Sequence, residues 1–198
     1  MAIRILEPPE SSWGDYGDIL RHGMAAELDS TPEGLLQLER TGPYIPPISF
    51  PGFAIVATDE CRRRLEASGL KGLAFRPVRK ARIVQLPWHT WDLTAEEPPE
   101  YPDSGEPEDY IREREHSPAL AEAMGPLWQL VLTEGAETER ESAEDRWNDR
   151  IYVRTATWTG VDIFHATGVG YVFVSEAAQA WLSKELPEHV AFRDCLLR

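Results

Sequence analysis

Residues 55–76 read IVATDECRRRLEASGLKGLAFR, and residues 172–193 read VFVSEAAQAWLSKELPEHVAFR. The second stretch follows the first by 117 positions and aligns with it without a gap. Ile55 falls on Val172, Thr58 on Ser175, Asp59 on Glu176, Leu65 on Leu182 and Leu73 on Val190, while Ala74-Phe75-Arg76 falls on Ala191-Phe192-Arg193. Four of the 22 pairs are identical, so the residue types carry the comparison. Each copy has an apolar run, a hydroxyl followed by an acid, helical spacing, and an apolar run ending in Phe-Arg. FAIVA, at 53–57, is apolar throughout, as a strand covered on both faces requires. A Thr or Ser ahead of a helix accepts a free backbone N–H, and an acid in the first turn suits the helix's positive end. Gly69 can close the first helix in the left-handed conformation, and Pro187 stops the second.

Each copy therefore predicts strand–helix–strand, with Leu65, Leu73, Phe75, Leu182, Val190 and Phe192 in the core. The expected fold class is α+β (mixed α/β), a single domain over residues 1–198. Pseudo-repeats at 50–84 and 158–198 form its scaffold, and an acidic, proline-rich, unrepeated insertion at 94–149 lies between them.

The remaining segments fill in around this frame. AIRIL, at 2–6, predicts a short strand. DYGDILRHGMAAELDSTPEGLLQLERTG holds helical pieces, with Thr31 capping ahead of Pro32 and Gly42 ending a run over 34–41. PYIPPISFPG has four prolines in ten residues and reads as an extended connector. LAFRPVRKARIVQL returns as one strand or two, broken at Pro77. SPALAEAMGPLWQLVL has helical spacing after a Ser117 cap, with a break at Gly125-Pro126. IYVRTATW alternates as a strand does. TAEEPPEYPDSGEPEDY, almost without aliphatics, predicts a loop or mobile excursion.

Charge is distributed unevenly. The net charge is −14, and residues 96–149 hold seventeen acids against four arginines, a difference of −13. Residues 60–82 instead carry Arg62, Arg63, Arg64, Lys71, Arg76, Arg79, Lys80 and Arg82. So negative a chain repels nucleic acid and anionic lipid and favours a basic partner or simple solubility. It has no twenty-residue apolar run to span a membrane. The first apolar stretch, interrupted by Arg4, is too short for a secretory signal, so a cytoplasmic location is expected. Cys61 and Cys195 form no CxxC and have no histidine at ligand spacing, which predicts two reduced thiols and no metal or other cofactor.

Catalytic signatures are missing: there is no GxSxG, P-loop, GxGxxG or HExxH. Asp162 and His165 would be neighbours on a helix, but Gly160 and Gly168 bracket them, and on a strand they face opposite ways. The sequence does not read as an enzyme. An enzyme with a site scattered over Asp162, His165 and Glu144, or an effector adaptor or chaperone, are the alternatives. Seven tryptophans are many for this length. Trp128 and Trp181 fall on apolar helical faces and are expected in the core, whereas Trp88 and Trp91 precede the acidic loop and Trp147 lies among acids. An aromatic beside carboxylates can grip arginine or lysine by stacking plus charge pairing. The candidate partner-binding set is Asp103, Glu106, Glu108, Asp109, Glu137, Glu139, Glu141, Glu144, Asp145 and Asp149, with Trp91 and Trp147 as anchors.

SGLKGLAFRPV after a strand–helix unit, and DIFHATGVGYVFVSEAAQAWL with VAFRDCLLR at the C-terminal end, add a resemblance. These stretches resemble immunity proteins of bacterial polymorphic toxin systems. The similarity is to the double-CxxCG-motif family and to a related one reading Asp-aliphatic-Phe, strand, Ser-Glu, helix, Phe-Arg. That pattern is matched by Asp162-Ile163-Phe164, YVFV, Ser175-Glu176 and Phe192-Arg193, and the resemblance as a whole covers residues 50–82 and 158–198. The CxxCG pair is absent, so any zinc site of that family is lost. The resemblance implies a cytoplasmic inhibitor in interbacterial competition whose partner is a cognate toxin with a basic surface, commonly a nuclease.

Overall fold

The computed structural model describes residues 2–25, 34–140 and 151–198. Along the chain run β1 (Ile3–Glu7), α1 (Asp15–His22), β2 (Met24–Ala25), β3 (Gln37–Gly42), β4 (Ile48–Ser49), β5 (Val56–Thr58), α2 (Asp59–Glu66), β6 (Ala74–Pro77) and β7 (Arg79–Gln85). There follow α3 (Asp109–Arg112), α4 (Pro118–Ala123), β8 (Leu127–Val131), β9 (Glu134–Arg140), β10 (Ile151–Arg154), β11 (Ile163–Thr167), β12 (Val172–Ser175), α5 (Glu176–Glu185), β13 (Ala191–Asp194) and β14 (Leu196–Leu197). The class is mixed α+β and mostly sheet. Two compact units divide the chain, one made of Met1–Pro9, Arg63–Ala74 and Val131–Arg198, the other of Glu10–Arg62 and Phe75–Leu130. No helix among the described residues is long and apolar enough to cross a membrane.

The first unit is built on a seven-stranded sheet of order β13-β1-β12-β11-β9-β10-β14. Its two edge strands are consecutive in sequence, separated only by Cys195, so the sheet curls into a near-barrel. Arg198 completes the closure, donating its N–H to Val153 O at 3.0 Å and accepting from Thr155 N at 2.9 Å. Alternation along the strands sends Ile3, Ile5, Ala136, Val153, Phe164, Ala166 and Phe173 into one cluster. Gly135 has no room for a side chain there: a Cβ would lie 2.5 Å from both Phe164 and Val161. Leu6, Ile163 and Val174, on the alternate positions, are also buried, and α5 packs on β12 and β1 with Ala178 and Leu182 inward. Cys195 is a half-buried thiol whose Sγ donates to Ile3 O.

The second unit holds two smaller sheets, of order β2-β3-β7 and β4-β5-β8-β6. The helical run expected over 34–41 is instead β3, paired in parallel with β7 from Gln37↔Arg79 to Gly42↔Gln85. Gln37, Leu38, Arg40 and Thr41 are all buried, and full burial on both faces of the strand overrides the helical preference of Leu, Gln and Glu. The expected Thr31 cap lies outside the described residues. Trp128, expected on a helix, stands on β8 because the chain turns from α4 into a strand at Gly125-Pro126. Its ring lies 4.4 Å beneath the Arg62 guanidinium, and its Nε1 donates to Asp59 Oδ1 at 2.9 Å. Trp181 is half-buried on α5.

Both opening stretches form strand–helix–strand, β5–α2–β6 and β12–α5–β13, and in both a further strand separates the two. That strand is β8 in one and β1 in the other. The caps match as well: Thr58 Oγ1 accepts from Cys61 N and Ser175 Oγ from Ala178 N, each at 3.2 Å. Arg64, on α2, pairs with Glu185, at the end of α5, at 2.5 Å, which holds the Glu185 carboxyl below the usual range. Leu65, Leu182 and Val190 are buried. Leu73, Phe75 and Phe192 are only half-buried, which corrects their expected place in the core. The phenylalanines sit on β6 and β13, each an edge strand of its sheet, where one flank has no strand neighbour among the described residues.

Candidate partner-binding face

In the second unit an aromatic plate carries the acidic chain. Leu20, Leu86, Trp88 and Tyr110 are buried together, with Trp13, Tyr16, Tyr44 and Trp91 packed against them. Trp91 lies 6.1 Å from Trp13 and 6.2 Å from Tyr110, and Tyr101 meets Tyr16 edge-on at 5.0 Å. Over this plate residues 92–115 run with ten acids and two arginines in 24 positions. Of the loop or mobile excursion expected here, the structure shows a loop, and side chains bond its backbone at many points. Trp13 Nε1 donates to Ala95 O, Tyr16 Oη to Gly105 O and Tyr110 Oη to Glu100 O, at 2.9, 2.6 and 2.5 Å. Pro98 and Pro102 are buried, which anchors the proline-rich run and limits its backbone freedom.

The carboxylates here divide into two kinds. Some build the loop: Asp92 accepts from the Thr94 hydroxyl and N–H, which holds its carboxyl below the usual range. Glu113 accepts from the N–H groups of Asp103 and Ser104, Asp109 from the Ser104 hydroxyl, and Glu100 pairs with Arg114 at 2.9 Å. Others face outward: Glu96, Glu97, Asp103 and Glu106 are exposed. No cation among the described residues pairs with these four side chains. Glu108 is half-buried at the start of α3. Leu93 and Tyr101, 43% and 45% exposed, add apolar surface beside them. Burial, then Glu100, pushes the Tyr110 hydroxyl up to about 12, so it stays a neutral donor.

Glu137 and Glu139 stand on β9 in the first unit, paired with Arg154 at 2.6 Å and Arg198 at 2.8 Å. Glu141, Glu144, Asp145, Trp147 and Asp149 lie outside the described residues. Asp162 and His165 make no working pair. Asp162 is buried and accepts from Ser175 Oγ at 2.5 Å and from Lys71 N at 2.6 Å, whereas His165 Nδ1 meets Tyr171 O at 3.2 Å. The Asp and Ser of the C-terminal pattern thus touch each other, and their bond holds the start of α5. No group of three or more His, Cys, Asp or Glu among the described residues is placed to hold a metal ion.

Sequence reasoning missed Ser11, Trp13 and the buried side of Trp88, which come together beside the plate; their separation of more than 70 positions left no local signal. Comparison with known proteins adds no relative: no family model matches the chain, and no curated protein matches it in sequence.

Proposed function

We propose that this chain is a binding protein of the immunity type, not an enzyme. It neutralises a bacterial toxin that acts in the cytoplasm, a nuclease by class, by covering that toxin's basic active-site region. The observation that carries the reading is the fixed acidic surface at 92–115, with Glu96, Glu97, Asp103 and Glu106 unpaired and Leu93, Tyr101 and Trp91 beside them. A nuclease cleft is basic because it must hold phosphates. An acidic surface already held in shape meets it with fast, charge-steered association and little ordering cost. Stretches 55–76 and 172–193, alike in order, capping and interleaved strand, read as a duplicated scaffold. On that reading the unrepeated acidic part carries specificity, in line with the resemblance of the repeats to immunity proteins.

The test is protection. Cells expressing the proposed cognate toxin domain should survive with the wild-type protein. They should lose at least tenfold in survival when Glu96, Glu97, Asp103 and Glu106 are all changed to Lys. A reversed variant that keeps its unfolding midpoint and still protects fully removes this surface from the interface.

A further inference from the structure

Four arginines among the described residues lie over aromatic rings, and each of the four also grips a carboxylate. Arg62 lies 4.4 Å from the centre of the Trp128 ring and pairs with Asp59 at 3.0 Å. Arg114 lies 5.8 Å from the Tyr110 ring and pairs with Glu100 at 2.9 Å. Arg193 stands over Tyr171 at 5.1 Å and Arg198 over Tyr152 at 4.6 Å, paired with Glu7 and Glu139, both at 2.8 Å. A guanidinium suits this double use, because its flat face stacks on a ring while its N–H fork meets a carboxylate. A lysine ammonium is a hydrated point charge on a flexible stem and has no flat face to offer.

Tyr101 has a carboxylate beside it and, among the described residues, no arginine over it. It is 45% exposed, yet its place is fixed from both sides. The Glu100 carbonyl before it accepts from Tyr110 Oη, and Pro102 after it is buried. Its ring meets Tyr16 edge-on at 5.0 Å, with 80° between the planes, and Tyr16 Oη is itself held by Gly105 O at 2.6 Å. Glu97, four residues back and exposed, supplies the carboxylate. Its charge reaches the Tyr101 hydroxyl, which lost hydration, and after it Glu97 and Tyr16, raise above the ordinary range. No cation among the described residues pairs with Glu97.

Ring and carboxylate are thus in place, and the arginine that completes the other four groups has to come from elsewhere. We propose that Tyr101 and Glu97 seat an arginine side chain of the basic partner, its guanidinium stacked on the exposed ring and paired with the carboxylate. The net charge of −14 attracts lysine and arginine alike, so the ring is what makes the loop choose between them. Because the ring and the backbone around it are already held, little ordering cost falls on the binding step. The inference rests on the partner-binding reading for the source of the arginine, but the choice of arginine over lysine is a property of this chain alone.

The test uses the full chain and two blocked peptides, one of four Arg-Gly repeats and one of four Lys-Gly repeats, titrated at low ionic strength. The arginine peptide should bind about twofold to fivefold tighter, the worth of one stacked cation at an exposed site. Tyr101→Leu keeps an apolar side chain against Tyr16 and should erase that preference, whereas Tyr101→Phe keeps the ring and should retain it. Glu97→Gln should weaken both peptides and narrow the gap between them. Equal or absent binding of the two peptides overturns the proposal. So does a preference left intact by Tyr101→Leu or Glu97→Gln, or one lost equally in Tyr101→Phe and Tyr101→Leu. No toxin enters this assay, so a wild-type protein that shows the preference and fails to protect cells removes the toxin reading and leaves the arginine seat standing.

Discussion

Two acidic stretches of this molecule have similar composition and opposite fates. On β9, Glu137 and Glu139 stand on a ladder whose neighbours present arginines at matching positions: Glu137 lies opposite Arg154, and Arg198 follows β14 on the far side of β10. Along 92–115 there is no ladder. The loop's own side chains serve its backbone amides, and five carboxylates, Glu96, Glu97, Asp103, Glu106 and Glu115, are left exposed. Net charge counts both stretches alike. Strand pairing decides which charge is neutralised within the fold and which stays available to a partner.

The largest effect should come from removing what fixes the loop. Tyr110→Ala takes out a fully buried ring and the bond to Glu100 O. It should cost about 3–5 kcal/mol in chemical denaturation, whereas Glu137→Ala on β9 should cost less than about 1 kcal/mol. Equal losses from the two would mean that the aromatic plate is not what orders the acidic chain.

Next in size is the kinetic contrast. Reversing Glu96, Glu97, Asp103 and Glu106 should slow association with the proposed basic toxin partner at least about tenfold at low salt, with the gap closing as salt shortens the screening length to about 8 Å at 0.15 M. Glu137→Lys with Glu139→Lys should slow it less, because those carboxylates already face arginines. Stopped-flow association at two salt concentrations separates the cases. Equal slowing by the two sets erases the distinction.

The sequence made much of this legible, and where it did not the cause is identifiable. Thr58 and Ser175 were readable as caps because capping is local, and the acid density of 92–115 needs only counting. The near-barrel was not readable. Its closure depends on Leu196–Leu197 pairing with β10 across more than forty residues, and a two-residue strand leaves no periodicity to detect. β3 was misread because Leu, Gln and Glu prefer helix in isolation, and only the presence of β7 alongside makes residues 37–42 a strand. Phe75 and Phe192 looked like core because phenylalanine usually is, yet edge position is a property of topology. Which acids are paired was likewise hidden: Arg154 and Arg198 meet Glu137 and Glu139 through register. Five of the predicted residues, Glu141 to Asp149, lie outside the described residues.

Alkaline titration sharpens the comparison from another side. Burial, and after it Glu100, pushes the Tyr110 hydroxyl up to about 12 in the fold, from about 10 for a free tyrosine. The unfolded chain therefore releases this proton first. The tyrosine's contribution to stability is intact below about pH 10 and is lost as pH rises toward 12. Thermal melts between pH 9 and 12 should show the loss in the wild type and a smaller one in Tyr110→Phe. A variant with the same alkaline slope would assign the loss to other groups.

The smallest expected effect is the coupling between Glu137 and Arg154. Their oxygen and nitrogen lie 2.6 Å apart, but the side chains are 54% and 51% exposed, so water competes for both charges. A double-mutant cycle with Glu137→Gln and Arg154→Gln should give about 0.2–1 kcal/mol, falling further in high salt. That is enough to bias the pair toward one another without making β9 a stabilising element of the barrel, whose closure rests on the β14 ladder and the Ile3–Phe173 cluster. If the coupling is zero, the β9 carboxylates are as available to a partner as those of the loop. Reversing them should then slow association with the proposed toxin partner as much as reversing Glu96 and Glu97. If it exceeds about 1 kcal/mol and resists salt, water is excluded from this face in solution, and the β9 surface is covered in a way its exposure does not convey.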